Sequence, residues 1–285
     1  MDIVSSTDNY LSLYLSLPNI SPITSISFFF LSLARILPII FLAPFFGGKL
    51  VPPVVKIGFG ISLAAIFLPQ MLVSAKGNLI LGPVFMILML KEIFIGFILG
   101  FLASIPFYFV QSTGSLIDHQ RGASSLQVTD PSTQVQTSPI GVVYNYILIT
   151  IFFAIGGPIF LIDALGKSFQ LVPADAFLNP IFFSAKIPLW HLLFGLLDHL
   201  LKMTIQLGAP ALIGMLITDM FLGIANRLAP QVQIVFLGMP LKSWVGLALL
   251  AAAWYFILQQ MGKESTTWLN VIEQTIKGMG KLTTH

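Results

Sequence analysis

Between Ser27 and about Leu258 the sequence is a succession of apolar runs, and their length is what limits the fold. A hydrocarbon core about 30 Å thick is crossed by about twenty apolar residues in helix. Ser27–Phe46 and Val54–Val73 have that length, whereas Leu79–Val110 and Pro188–Ala225 exceed it. Only 9% of the 285 residues are charged and the mean hydropathy is +0.92, against about a quarter charged in a soluble domain. The chain therefore reads as an all-α membrane protein. A formal charge of +3 with no basic run gives no footprint for nucleic acid. The absence of cysteine excludes disulfides, thiolate metal sites and cysteine nucleophiles together. Residues 1–25 lack the basic start and small-residue cleavage site of a secretory signal, so Met1 is expected to begin the mature protein.

Taken in order, the first run contains Arg35, Pro38 and Pro44 and ends at Gly47, Gly48, Pro52 and Pro53, a cluster that cannot sustain helix. In the third run Glu92, Gly96, Gly100 and Ala103 recur at helical spacing, which puts one acid and three small residues on a single stripe. The Gly96–Gly100 step permits close approach of a neighbouring backbone, so Glu92 is expected to face protein. A further run, Gly141 to Leu165, is expected to kink at Gly156, Gly157 and Pro158. Pro188–Ala225 is expected to break near Gly208, Ala209 and Pro210 into a hairpin or bent pair. Trp268, Ile272, Ile276 and Met279 share a helical face among charges, the pattern of an amphipathic tail. Basic residues occur in links on both nominal sides, at Lys49, Lys76, Lys167, Arg227 and Lys263, so the positive-inside rule gives no orientation.

One interior stretch differs from all of this. Gln111–Gly141 is polar and small, with Gly114, Gly122, Ala123, Ser124 and Ser125, and carries Asp118, His119, Gln120, Arg121 and Asp130. At about thirty residues it is far longer than an ordinary connection. Its composition before Asp130 is poor in the usual disorder formers, so it reads as a packed, irregular element held among hydrophobic helices. Asp118 and Arg121, three apart, are placed to pair and hold it closed.

Catalytic patterns are missing. No phosphate-binding loop, nucleophile elbow, dinucleotide fingerprint or zinc-protease motif is present, and the four histidines are too scattered to argue a metal site. No enzyme, cofactor or metal is indicated. Charges inside apolar helices are costly and so mark function or pairing; Arg35, Lys91, Glu92, Asp163, Asp198, Lys202 and Asp219 are such residues. A stand-alone secondary transporter using intramembrane acids would employ them and is the alternative reading. It would also show repeated halves, of which Arg35-Ile36-Leu37-Pro38 against Arg227-Leu228-Ala229-Pro230 is only a faint echo.

Four stretches together resemble the FliR/SpaR/SctT (YscT) family, the T-type subunit of the type III secretion export apparatus. They are the region of Arg35, Pro44, Pro53, Lys56 and Gly58; the KEIFIGFILGF stretch with Glu92, Gly96 and Gly100; the polar segment with Gln111, Gly114, Asp118, Gly122, Asp130, Pro131 and Ser138; and LGIANRLAPQVQIVFLGMPLK with Asn226, Arg227, Pro230, Gln231, Gly238 and Pro240. They cover most of Ala34 to about Leu250. The polar segment is similar to the virulence injectisome branch rather than the flagellar one.

The resemblance implies long helical hairpins with kinked helices, assembling into a helical multi-subunit export gate for unfolded proteins. Implied partners are the R-type and S-type gate subunits, the large export-gate channel protein, basal-body ring and inner rod components, and unfolded secretion substrates. The implied place is the bacterial inner membrane within the basal body, raised toward the periplasm. On this reading residues 1–25 are a polar N-terminal segment and 26–110 N-terminal hydrophobic helices. Residues 111–140 are a plug-like loop, with Gln111, Gly114, Leu116, Ile117, Asp118, Gln120, Arg121, Gly122, Asp130 and Pro131 as its site residues. Residues 141–260 are C-terminal hydrophobic helices with loops near 167–187 and 226–233, and 261–285 is the tail. Arg35, Glu92, Gly96, Gly100, Asn226, Arg227 and Pro230 are expected in helix packing or as buried charge.

Overall fold

The computed structural model describes residues 21–48, 50–73, 82–122, 138–177, 188–228 and 234–280. Among them are seven α-helices and no strand: α1 (Pro22–Leu42), α2 (Pro53–Val73), α3 (Pro83–Gln120), α4 (Pro139–Ala154), α5 (Gly157–Leu171), α6 (Pro188–Leu228) and α7 (Ile234–Gly280). Local chemistry sets several starts. Ser21 and Ser138 each precede a proline at the first helical position, and each accepts a hydrogen bond from a backbone N–H three residues on, which satisfies a donor that has no partner within the helix. A short 3₁₀ turn, Pro44–Phe46, follows α1, and Gly47 and Gly48 then take positive φ of 88° and 50°. The buried Lys56 of α2 donates from Nζ to the Gly48 carbonyl across that turn.

Five prolines, Pro38, Pro69, Pro106, Pro210 and Pro240, stand inside helices. The break expected at Gly208–Pro210 is therefore absent: α6 is one helix of 41 residues. A proline removes one backbone bond. Opening the helix in apolar surroundings would orphan several, each costing several kcal/mol, so continuity is the cheaper state. The Gly156–Pro158 region behaves differently. Helix α4 stops at Ala154, Gly156 adopts φ 78°, and α5 begins at Gly157.

Three boundaries differ from the sequence expectation. Helix α3 does not stop at Val110 but continues to Gln120, so the first ten residues expected to be irregular are helical. Lys167–Leu171 belong to α5 rather than to a loop. The tail is no separate element, because α7 runs unbroken through it with Trp268, Leu269 and Ile272 buried. In each case the helical bonding continues past the point where polar composition suggested a stop. By length and apolarity five helical stretches could each cross a membrane, and α4 with α5 could together form one more.

The chain forms two compact units. The first takes residues up to Ser104, Pro158–Leu192 and Leu269 onward. Its core is Phe28, Leu31, Ile36 and Ile40 of α1 with Leu88 and Ile95 of α3 and Phe169 of α5. Gly96 and Gly100 of α3 lie against the α1 backbone: a Cβ at Gly96 would sit 2.2 Å from the Arg35 carbonyl oxygen, and one at Gly100 would sit 2.9 Å from the Ile39 Cα. The second unit takes Ile105–Gly157 and Leu193–Trp268. Within it α6 and α7 form an antiparallel hairpin, with Gly214 against Leu249, Gly246 against Met215 and Gly238 against Leu222.

Candidate functional site

In the second unit the last turns of α3 meet the start of α4. Gly114 and Gly141 make this possible, since a Cβ on Gly114 would fall 2.4 Å from the Gly141 Cα. Asp118, 5% exposed, occupies the junction. Its Oδ1 takes the Arg121 guanidinium, with Nε at 2.7 Å and Nη2 at 2.6 Å. Its Oδ2 accepts from the Ser138 hydroxyl and, at 3.0 Å, from the Ile140 N–H. A negative charge at a helix N-terminus is favourable, so one carboxylate both fastens Arg121 and caps α4. The described chain leaves at Gly122 and resumes at Ser138, and the residues on either side of that interval are tied to the same side chain.

On another side of this turn lies a cleft of about 430 Å³, lined by His119, Gln120 and Arg121 of the α3 end and by Asp219, Asn226 and Lys242 of the α6–α7 hairpin, among others. Asp219 holds Lys242 at 2.7 Å and accepts from Gln120 Nε2 at 3.2 Å. Side chains from two other helices, α3 and α7, therefore converge on one α6 carboxylate.

The first unit holds a second charged node. Arg35 of α1 and Glu92 of α3 are fully buried, and pair through Arg35 Nε to Oε2 at 2.5 Å and Nη2 to Oε1 at 2.8 Å. Lys91 meets Glu92 at 2.7 Å. The two cations also donate to the carbonyls at the end of α5 and just beyond it. Arg35 reaches Ser168 and Val172 at 2.8 Å each, and Lys91 reaches Pro173, Ala174 and Ala176 at 2.9–3.0 Å. Cations are favoured at a helix C-terminus, where carbonyls lack partners. The Phe169 ring lies 4.3 Å from the Arg35 guanidinium carbon.

Of the remaining predicted residues, Leu116 is half exposed and Ile117 fully buried, so on this turn only Leu116 presents a large apolar side chain outward. Asn226 and Arg227, expected in packing or as buried charge, are exposed on the final turn of α6, where an arginine faces unsatisfied carbonyls. Asp130, Pro131 and Pro230 lie outside the described residues. Sequence reasoning missed the Asp219–Lys242 pairing, which no local spacing signals. It also missed the cap made by Ser138, although Ser followed by Pro before an apolar run is a helix-start signature.

The sequence profile described as "Bacterial export proteins, family 1" matches residues 26–267. The chain belongs to this family. It is the FliR/SpaR/SctT group of type III secretion export proteins, a family of structural secretion subunits. Similar members include Yop proteins translocation protein T of Yersinia pestis, 34% identical over 66% of this chain and 69% of that protein. Surface presentation of antigens protein SpaR of Shigella flexneri is 29% identical over 73% and 78%. Flagellar biosynthetic protein FliR of Bacillus subtilis is 30% identical over 89% and 93%. The four stretches that resemble the family pair off in space. Arg35 of the first meets Glu92 and Gly96 of the second, with Gly100 one turn on against Pro38 and Ile39, and Gln120 and Arg121 of the third share a cleft with Asn226 and Lys242 of the fourth.

Proposed function

We propose that this chain is the T-type subunit of a virulence type III secretion export gate, and that the α3–α4 junction seats a plug in the conduit for unfolded proteins. One observation carries the reading: the buried Asp118 fastens both the end of α3 and the start of α4. A segment rooted at both ends by one carboxylate can fill a narrow passage at rest and be displaced without loss of its anchorage. Relatives named for translocation of Yop proteins and for surface presentation of antigens favour the virulence branch. The partners on this reading are R-type and S-type gate subunits, the large export-gate channel protein, ring and rod components, and unfolded substrates. At 1.5 Å per residue α3, α6 and α7 are about 57, 62 and 70 Å long, about twice the hydrocarbon thickness of about 30 Å. Helices of that length reach well beyond the hydrocarbon layer, in keeping with a subunit of the inner membrane that is raised out of the bilayer plane; the side toward which it is raised, the periplasm, is part of the proposal.

The test is resting ion conductance of membranes containing the co-expressed gate. Removal of residues 124–136, or Asp118→Asn, raises the leak while assembly on native gels is unchanged. An assembled complex with unaltered conductance in both variants refutes the plug. Co-purification separates the alternative, since a gate subunit is recovered with its partners whereas a secondary transporter is stable alone or as a symmetric oligomer.

A further inference from the structure

We infer that Asp219 is a positioning residue that couples the end of α3 to the α6–α7 hairpin, so that the hairpin is the handle by which the junction is released. The inference rests on the plug reading but on different residues. Asp118 ties the α3 end to α4. Asp219 ties it to the hairpin, through Gln120 at 3.2 Å and Lys242 at 2.7 Å. Both interactions use the same oxygen, Oδ2, so the three side chains form one relay rather than two separate contacts. Asp219 and Lys242 sit on antiparallel helices whose packing is tight enough that a Cβ on Gly238 would meet the Leu222 side chain at 2.8 Å. Any displacement of the hairpin end moves the carboxylate, and with it the partner of Gln120.

Composition of the relay adds a chemical point. A carboxylate facing a lysine alone would need no glutamine, yet the α3 residue in reach is an uncharged amide. Gln can donate or accept, so it stays engaged whichever charge faces it and adds none of its own. The tie thus holds α3 with a single hydrogen bond to a charged group, weak enough to part when the hairpin shifts, while the close packing of Gly214, Gly238 and Gly246 keeps the hairpin intact.

The experiment uses the assembled export gate and reads resting conductance beside native-gel assembly. Gln120→Leu cuts the α3 tie and leaves Asp219–Lys242 in place; it is expected to raise the leak roughly tenfold, the population change produced by losing one charge-assisted hydrogen bond. Asp219→Leu is expected to match it. The double exchange Asp219→Lys with Lys242→Asp is expected to return the leak to within about twofold of wild type, because Gln120 can accept from the new lysine; a packing role for Asp219 would not survive that exchange. If the leak rises in Asp118→Asn but not in Gln120→Leu, the coupling is overturned and the plug stands. If neither variant leaks and the 124–136 deletion does not leak either, the plug reading itself falls; if the deletion alone leaks, the plug stands and the coupling is overturned. Should the double exchange fail to assemble, Gln120→Leu decides alone, since Gln120 is only part-buried.

Discussion

Replacing Glu92 by Gln tests how the buried node of the first unit is held. The side chain is fully buried and faces two cations, Arg35 through two hydrogen bonds of 2.5 and 2.8 Å and Lys91 at 2.7 Å. Glutamine keeps the volume but removes the carboxylate that pairs with both cations, and its amide must turn donors toward a guanidinium or an ammonium. Breaking a buried pair in this way costs about 3–5 kcal/mol. Lys91→Met is milder because it leaves the Arg35–Glu92 pair neutral and complete; the carbonyls of Pro173, Ala174 and Ala176 lose a donor, and those of Pro173 and Ala176 are only part-buried. We expect a cost of about 1–3 kcal/mol. The two changes are not additive. Once Glu92 is neutral, Lys91 is an excess cation beside Arg35, so the double variant is expected to be more stable than the sum by about 1–3 kcal/mol. Unfolding by SDS titration in mixed micelles, followed by far-UV circular dichroism, measures all three. A loss below about 1 kcal/mol for Glu92→Gln, or strict additivity, would refute an electrostatic origin.

Gly96→Ala is expected to cost about 1–3 kcal/mol in the same assay, because its Cβ meets the Arg35 backbone, which cannot rotate away. Gly58→Ala, with nothing within 4 Å of the new methyl, is expected to stabilise by about 0.5–1 kcal/mol through the unfolded chain; the opposite sign would contradict the packing described. Gly156→Ala meets no neighbour but must hold φ 78°, so thermal melting should show a cost of about 1–2 kcal/mol that is purely backbone. Asp118→Asn leaves Arg121 without its ion pair, and the same measurement should give a loss of about 1.5–3 kcal/mol.

Helix existence and the Gly96–Gly100 stripe were legible because both rest on periodicity, a local property. Glu92 on that stripe pointed correctly toward protein, whereas its partner Arg35, fifty-seven residues away, had no local signal. Prolines misled for a physical reason. Pro210 carries a turn signal in water, but in apolar surroundings one missing backbone bond is cheaper than several. Polar composition also misled at Gln111–Gln120, where Thr113 and Ser115 satisfy their hydroxyls on carbonyls four residues back, at Phe109 and Gln111, and so ride within a helix. The meeting of Asp219, Lys242 and Gln120 depends on how three helices pack, which one sequence does not encode in any spacing.

Each of the five helix-internal prolines leaves its helix with one rung fewer, and a rod yields first where a rung is gone. Flexure is thereby assigned to chosen heights along α1, α2, α3, α6 and α7 while the rest of each shaft stays stiff. Amides within a turn of these points should exchange with deuterium sooner than those midway between them, tracing a map of joints along an otherwise rigid frame.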